Sequence, residues 1–590
     1  MLWATNYERL AAATMFVLFF GGRTYAPRCV LDDMNIQDWL QSHFIGAVRA
    51  LIEAVAAAGD LLDECVIGWD CLNEPNSGYI GWPDLMHLHG PLRQGPMPTP
   101  VQAFRLGMGQ MQMVDTFELL LVGPQHDGSQ LVEPNGTLAW LTPERDAQVG
   151  AGRYGWKRAP SWELGTCIWA QHGVWSLHSD AVVRDYFAHN PATGKPVDFV
   201  ADFWLPHWHA YVAMVRSVHP DAVVFVQTPV YEPPPMGIHD GDALAHRACS
   251  SPHFYDGLTL ITKQWNSVNF DTVGYLRGNY WGTFSAVAYG ISAVREVIRR
   301  QIAQLRADTA QCIGSYPTWI GETGIPMALD GRAAFYGPSA GDYSTHCEAM
   351  DATLSACDDN LVGYALAGYS PSNSFQWGDG WNGEDFSLWS ADLARIQPRT
   401  SRPWDAFFRG SRAIAAWCRP YPTAVVGTPT HMSFDMLTSK FVLVVDVSDG
   451  EPGTFTEIYL PFVHYGAALP SRPPRCASWW DSLFGRRTTA PTPDEATAAA
   501  RRVRGLRMTE TAEKLRAKDT AAPGRSNTAY VGKAISEADE AAVELDIQVD
   551  VTDGYWECRG QYLRWFASPG THTLEVQRRS GAVDIDAWYN

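Results

Sequence analysis

The 590-residue sequence lacks an excess of positive charge. It carries 45 Lys and Arg against 64 Asp and Glu, which gives a formal net charge of −19 at pH 7 and a pI near 5.3. Proteins that bind nucleic acid through its phosphates present a basic face. The composition therefore argues against a nucleic-acid partner.

Metal-binding cysteine motifs are also missing. The 11 cysteines are scattered, without a CxxC pair or a Cys/His cluster. We expect no zinc site, no dense disulfide framework, and no other metal or cofactor. Because the count is odd, at least one thiol stays outside any intrachain disulfide, and a mostly reducing compartment is favoured.

Long hydrophobic runs are scarce. Residues 10–20, followed by Gly21 and Gly22, imitate the apolar core of a signal peptide but are too short to span a bilayer. Glu8 and the aromatic Trp3 and Tyr7 do not suit the start of a signal peptide. A buried segment of the fold explains the run better, and we expect a cytoplasmic or vacuolar protein without a membrane-spanning segment.

Aromatic residues, by contrast, are plentiful. The chain has 24 Trp, many of which core packing would explain. Sugar and sterol rings also prefer flat aromatic partners, so the composition fits an aromatic-lined cleft.

Two short phrases carry most of the functional information. Leu72-Asn73-Glu74-Pro75 and Trp319-Ile320-Gly321-Glu322-Thr323-Gly324 each place a glutamate just after a short apolar run. Such runs between helical patterns predict buried parallel strands, whose carboxyl ends form the reactive face of an α/β barrel. Paired carboxylates are what glycosidic bond cleavage requires. The alternative is two unrelated surface glutamates, since Glu is common and usually solvated.

The pattern along the chain predicts an α/β barrel followed by a β-sandwich. Helices are predicted over residues 35–58, 198–218, 290–305 and 342–354, and strands over 65–72, 222–228, 248–254, 318–321 and 361–366. Alternating strands are predicted over residues 432–434, 440–447, 454–460, 542–551 and 560–566. We therefore expect a barrel over residues 1–400 and an all-β sandwich over residues 401–590, with a disordered or loosely helical insertion at about 488–540.

With Asn73-Glu74-Pro75, His253-x-Tyr255 and Gly321-Glu322 in that order, the chain resembles the family 5 glycoside hydrolases, retaining enzymes on a (β/α)8 TIM barrel. More narrowly it resembles their fungal endoglycoceramidase-related branch of steryl-β-glucosidases and glucosylceramidases. Further phrases that carry the resemblance are residues 4–7, 171–175, 252–258, 275–281, 322–326, 376–378, 381–384 and 456–461. The resemblance implies a retaining β-glucosidase acting on a steryl β-glucoside or glucosylceramide, with transient contact to a membrane surface.

The resemblance also implies roles for individual residues. Glu74 would be the acid/base, Glu322 the nucleophile, and Asn73 a partner of the sugar 2-hydroxyl. A retaining site needs the two carboxyls about 5–5.5 Å apart, with a proton on Glu74 near neutral pH. His253 and Tyr255 share a strand face by the period-two rule, so Tyr255 would orient Glu322. The alternative for this His and Tyr is simple packing inside the barrel.

Weaker candidates lie near residue 380. Trp377 and Trp381 are candidate walls of the sugar or aglycone pocket, although structural packing explains them nearly as well. Asp379, Asn382, Glu384 and Asp385 imitate a calcium loop, but the ligand spacing fails and Trp381 occupies a ligand position.

Two departures from the family pattern stand out. The last strand, at residues 361–366, is not followed by the usual Trp, and Ala367 takes its place. Counting strands back from Glu322 puts Glu74 at the fourth strand, so about the first three strands would be missing and the chain would be truncated. The alternative function is therefore a catalytically impaired remnant or a non-catalytic glycolipid-binding protein.

Overall fold

The computed structural model describes residues 3–90, 92–120, 123–381, 383–397, 408–447, 453–469, 471 and 544–584. They form two compact units. The first comprises Met1–Gly331 and Val362–Ser387, and the second comprises Arg332–Leu361 and Leu388–Asn590. The insertion predicted at about 488–540 lies outside the described residues.

The first unit contains ten α-helices among its described residues. They are α1 (Leu10–Tyr25), α2 (Ile36–Ala57), α3 (Leu61–Cys65), α4 (Pro100–Gly107), α5 (Pro143–Val149), α6 (Ile168–Gln171), α7 (Leu205–Val218), α8 (Gly257–Thr262), α9 (Thr272–Leu276) and α10 (Ile291–Cys312). A 3-10 helix (Trp3–Glu8) precedes α1, and a π-helical turn (Val200–Trp204) precedes α7. The Asn35 side chain caps α2 by accepting a hydrogen bond from the Gln37 N–H.

The strands of the first unit are mostly short. They are β1 (Val30–Leu31), β2 (Met34–Asn35), β3 (Gly68–Trp69), β4 (Gly95–Pro96), β5 (Gln112–Leu120), β6 (Gly123–Val132), β7 (Val223–Val226), β8 (Ala248–Ser250), β9 (Val268–Phe270), β10 (Val287–Tyr289), β11 (Trp319–Thr323) and β12 (Gly363–Leu366). Strands β4, β5 and β6 form an antiparallel sheet inside the long segment between residues 75 and 195.

Five of these strands run parallel in chain order. Strand β7 pairs with β3 and β8, and β11 pairs with β12. Parallel bridges from Ser250 to Thr318 and from His253 to Glu322 connect β8 with β11. The order β3-β7-β8-β11-β12 brings the carboxyl ends of the strands to one edge, where the functional residues follow.

Strand β3 is shorter than the run predicted over residues 65–72, because Cys65 ends helix α3 instead of opening a strand. Its register depends on Gly68, where an added Cβ would lie 2.0 Å from the Val223 carbonyl oxygen. The neighbouring backbone leaves no room for a side chain there.

The core of the first unit consists of apolar side chains from the helices and the parallel strands. Trp169, Trp204 and Trp208 are fully buried in it, so packing explains part of the high Trp content. In the described part of the chain, no helix combines the length and apolar character that crossing a membrane requires.

The second unit is built on two four-stranded sheets. Its strands are β13 (Tyr421–Ala424), β14 (Thr428–Asp435), β15 (Lys440–Val447), β16 (Thr456–Tyr459), β17 (Ile547–Val551), β18 (Tyr555–Arg559), β19 (Tyr562–Phe566) and β20 (Gly570–Arg578). The antiparallel sheet orders are β13-β16-β19-β18 and β14-β15-β20-β17. Phe441, Leu443 and Val445 alternate into the buried face of β15, as the period-two pattern predicts.

Four helices accompany these sheets in the described residues: α11 (Ser344–Asp359), α12 (Ala391–Ile396), α13 (Ile414–Trp417) and α14 (Phe462–Tyr465). The buried Arg419 guanidinium joins α11 to the sheet region, because it forms ion pairs with Asp351 and with Asp358 at 2.8 Å. The predicted α/β architecture with a C-terminal β domain is confirmed.

Candidate active site

A cavity of about 350 Å³ opens at the carboxyl ends of the parallel strands. Its lining includes Tyr7, Asn73, Glu74, Tyr255, Glu322 and Trp381. These residues come from the 3-10 helix before α1 and from the segments at the ends of β3, β8, β11 and β12. The fold thus gathers side chains that are distant in sequence around one space.

Glu74 lies in the loop after β3, with its backbone in the left-handed region at φ +43° and its side chain buried. Its two carboxylate oxygens have different partners. The Tyr7 hydroxyl donates to Oε2 at 2.5 Å, and His253 Nδ1 lies 3.0 Å from Oε1. Both oxygens are therefore held in place.

Gln227 favours one tautomer of the His253 ring. Its amide nitrogen lies 2.9 Å from His253 Nε2 in a buried contact. When the amide donates to Nε2, the neutral ring carries its proton on Nδ1 and donates it to Glu74. The Nδ1–H of His253 then stabilises the negative charge of the Glu74 carboxylate.

Glu322 lies near the end of β11 and faces the cavity. The Tyr255 hydroxyl donates to Oε1 at 2.5 Å, and His253 Nδ1 lies 3.4 Å from Oε2. The Glu322 side chain is 34% exposed, compared with 7% for Glu74. One carboxylate oxygen of Glu74, one ring nitrogen of His253 and one carboxylate oxygen of Glu322 all lie within 4.8 Å of one another.

The hydrogen bonds around Glu74 determine its acidity. Burial raises the pKa of Glu74, but the bonds from His253 and Tyr7 outweigh burial and hold the pKa below its usual value. The acid role implied by the resemblance needs a proton on Glu74 near neutral pH, whereas these hydrogen bonds favour its ionised form. Burial and the nearby carboxylates raise the pKa values of Tyr7 and Tyr255, so both phenols remain hydrogen-bond donors.

Part of the cavity lining comes from the segment over residues 373–387. Asp379 holds it by accepting hydrogen bonds from the Phe386 N–H at 2.7 Å, the Asn373 amide at 3.1 Å and the Ser387 hydroxyl. The Asp379 carboxylate therefore closes a loop through these hydrogen bonds. The loop places Trp381 and Phe386 on the cavity wall.

The structure separates the two tryptophan candidates. Trp381 lines the cavity and is 52% exposed, whereas Trp377 is not among the lining residues and is 69% exposed. Ala367 lines the cavity after β12, at the position where the family pattern has a Trp. Trp381 and Ala367 thus line the same cavity.

Sequence reasoning missed Tyr7 and Gln227 as site residues. Tyr7 belongs to a phrase that served only for the family resemblance, and 67 residues separate it from Glu74. Gln227 directly follows β7. The rule that parallel strands end at the site, applied to every predicted strand, would have identified it.

The three clustered groups are spaced closely enough to hold a cation. However, two phenol O–H groups point at the carboxylates, at 2.5 Å each. These donors stabilise ionised carboxylates, and they occupy oxygen positions that a cation would need. The arrangement suits proton transfer and nucleophilic attack.

Comparison with known proteins identifies the family. The model of the glycoside hydrolase family 5 C-terminal domain matches residues 419–470. A glucosylceramidase from Aspergillus fumigatus is 43% identical over 525 residues, covering 79% of this chain and 68% of that protein. The ergosteryl-beta-glucosidase of Saccharomyces cerevisiae is 35% identical over 402 residues, covering 66% of this chain and 51% of that protein.

A solved structure agrees with these relatives. The crystal structure of Cryptococcus neoformans sterylglucosidase 1 matches with a TM-score of 0.82 and 40% identity, covering 99% of this chain and 73% of that chain. The match extends over the whole of the described fold, and it confirms the resemblance predicted from the strand-end motifs. The chain belongs to glycoside hydrolase family 5, in the branch of fungal glucosylceramidases and sterylglucosidases.

Proposed function

We propose that the protein is a retaining β-glucosidase that hydrolyses the glucosidic bond of a glycolipid. The observation that carries this proposal is the clustering of Glu74 and Glu322 atoms within 4.8 Å in one cavity. Retaining enzymes hold their carboxyls about 5–5.5 Å apart, whereas inverting enzymes leave about 6.5–9.5 Å for a water. One carboxylate oxygen of Glu74 and one of Glu322 lie closer together than the gap that an inverting enzyme keeps between its carboxyls, which supports a double displacement.

In the first step Glu322 attacks the anomeric carbon, and the bond to the aglycone oxygen breaks. Glu74 gives its proton to that oxygen, which leaves as the lipid alcohol. The Tyr255 hydroxyl, 2.5 Å from Glu322 Oε1, holds the nucleophile in position for attack. Asn73 lines the same cavity, where it would bind the sugar 2-hydroxyl.

In the second step Glu74 acts as a base. It takes a proton from water, which attacks the glycosyl-enzyme and releases glucose and Glu322. The hydrogen bonds from Tyr7 and His253 favour the carboxylate form of Glu74, which this step needs. The first step needs the protonated form, so its rate falls as pH rises above the pKa of Glu74.

The relatives' names supply the lipid class: glucosylceramidase and ergosteryl-beta-glucosidase. Of the two substrates we favour a steryl β-glucoside. Trp381, Phe386 and Tyr255 line the cavity, and rigid fused rings pack well against aromatic side chains. Glucosylceramide is the competing substrate in the experiment below.

We also propose that β3, β7, β8, β11 and β12 correspond to strands four to eight of an eight-stranded barrel. Their parallel pairing in chain order supports this assignment, as does the position of Glu322 one strand before the last. Residues 1–400 would then form the hydrolase part and residues 401–590 the β-sandwich. The family match at residues 419–470 supports the second assignment.

The experiment combines turnover with covalent trapping. The purified chain is incubated with an aryl β-glucoside, steryl glucoside and glucosylceramide, and the anomer first released is read by NMR. We expect retention, and labelling of Glu322 by a mechanism-based fluoro-glucoside, with Glu322→Gln as the unlabelled control. Label on another residue or an inverted product would contradict the mechanism. Binding of glycolipid without turnover would favour the non-catalytic alternative.

A further inference from the structure

The segment over residues 277–289, here called the aromatic loop, displays apolar side chains to solvent. Trp281 is 94% exposed and Phe284 is 88% exposed, the highest fractions among the exposed large apolar residues of the described chain. Tyr289 at the end of the loop is also exposed. Such side chains mark interaction sites when they are grouped on one segment.

The base of the aromatic loop is firmly held. Strands β9 and β10 pair antiparallel, with Val268 opposite Tyr289 and Phe270 opposite Val287. The Tyr280 hydroxyl donates to Asp271 Oδ2 at 2.7 Å. Arg277 forms an ion pair with Asp308 at 2.7 Å. The exposed tip therefore projects from a fixed frame, so its exposure is a feature of the fold.

The loop is also almost uncharged. From residue 272 to residue 294 the only charged side chain is Arg277, which Asp308 neutralises. The whole chain, by comparison, carries a net charge of −19. An uncharged tip with Trp, Phe and Tyr matches the interface of a lipid bilayer, where amphipathic aromatic rings settle at the headgroup level.

Hydrogen bonds connect the loop with the catalytic cavity. Arg277 donates to the Tyr231 carbonyl at 2.7 Å, and the Tyr231 hydroxyl donates to the Tyr255 carbonyl at 3.2 Å. Tyr255 in turn bonds to Glu322. The loop also lies between β8 and α10, a strand-to-helix connection of the kind that forms the reactive face of a barrel.

We propose that the aromatic loop inserts Trp281 and Phe284 into the surface of the bilayer that contains the glycolipid. This inference rests on the proposed glycolipid hydrolysis. The inserted rings hold the cavity against the lipid surface, where a glucosyl headgroup can enter while its lipid remains largely in the membrane. Because the tip is uncharged, binding does not require anionic lipid.

The test uses vesicles of phosphatidylcholine without any glucoside, at about 0.15 M salt to screen charge effects. Co-sedimentation measures the partition coefficient of the full chain. We expect Trp281→Ser with Phe284→Ser to lower it at least about tenfold, because two exposed rings leave the interface. Trp281→Tyr keeps an interfacial ring and should retain most binding. Tyr154→Ser removes an exposed ring elsewhere and should change nothing.

A wild-type chain that stays in the supernatant would overturn the proposal, as would a double serine variant that binds as well as the wild type. If the wild type does not bind vesicles but forms a dimer that the double variant loses, the loop contacts a second copy of the chain. That result would also overturn the proposal. Hydrolysis of a soluble aryl β-glucoside tests the proposed function separately. The serine variants should hydrolyse that substrate at the wild-type rate and lose rate only on vesicle-bound steryl glucoside.

Discussion

Tyr7→Phe removes one hydroxyl from the site and tests how Glu74 is controlled. In the native site that hydroxyl donates to Glu74 Oε2 at 2.5 Å and helps to hold the pKa of Glu74 below its usual value. The phenylalanine ring keeps the shape of the tyrosine ring. The variant therefore isolates the effect of a single hydrogen bond on the carboxylate.

The size of the effect follows from that bond. A hydrogen bond to a charged group contributes about 1.5–3 kcal/mol, and one pKa unit corresponds to about 1.4 kcal/mol. Tyr7 is only partly buried, so we take the lower end, about one pKa unit. The bond favours the ionised form, so its loss raises the pKa. Glu74 then stays protonated to higher pH, and the alkaline limb of kcat/KM moves up by about one unit.

The assay is a pH profile of kcat/KM on a glucoside with a poor leaving group, which depends on the proton of Glu74. Tyr25→Phe is the matched control, because it removes a buried hydroxyl that donates to the Phe187 carbonyl at 3.1 Å. That variant should leave the limb unchanged. A Tyr7→Phe profile that keeps the native limb, or one that moves to lower pH, would refute the reasoning.

Three further predictions concern single side chains. Glu74→Gln should slow substrates with poor leaving groups far more than activated aryl glucosides, and equal losses on both would contradict its acid role. Gln227→Leu removes the donor to His253 Nε2 and should move the same alkaline limb upward in a pH profile. An unchanged limb would show that Gln227 does not influence the acidity of Glu74. Arg419→Met should cost about 3–5 kcal/mol in thermal or denaturant unfolding, because two buried aspartates lose their partner. The exposed Arg564→Met should cost at most about 1 kcal/mol by the same measurement, and equal losses would refute the burial argument.

Local patterns were enough to predict the framework of the first unit. The helix predicted over residues 35–58 runs over Ile36–Ala57, and the strand predicted over 222–228 runs over Val223–Val226. The periodicity of the apolar residues shows which face of a helix or strand is buried. That face can be read from the sequence without knowing which element packs against it. The same local logic placed a glutamate after each of two strands. His253 and Tyr255, predicted on one strand face, lie beyond the end of β8 at Ser250, and each contacts one of the two glutamates.

Only the tertiary structure decided how the site is tuned and which aromatics face it. Tyr7 contacts Glu74 across 67 residues of sequence, and this contact helps to reverse the expected direction of the Glu74 pKa. Trp377 and Trp381 have similar sequence surroundings, yet the loop closed by Asp379 turns only Trp381 into the cavity wall. A pKa and an orientation depend on groups that meet in space. The sequence determined the candidate reacting groups, and the fold determined their environment.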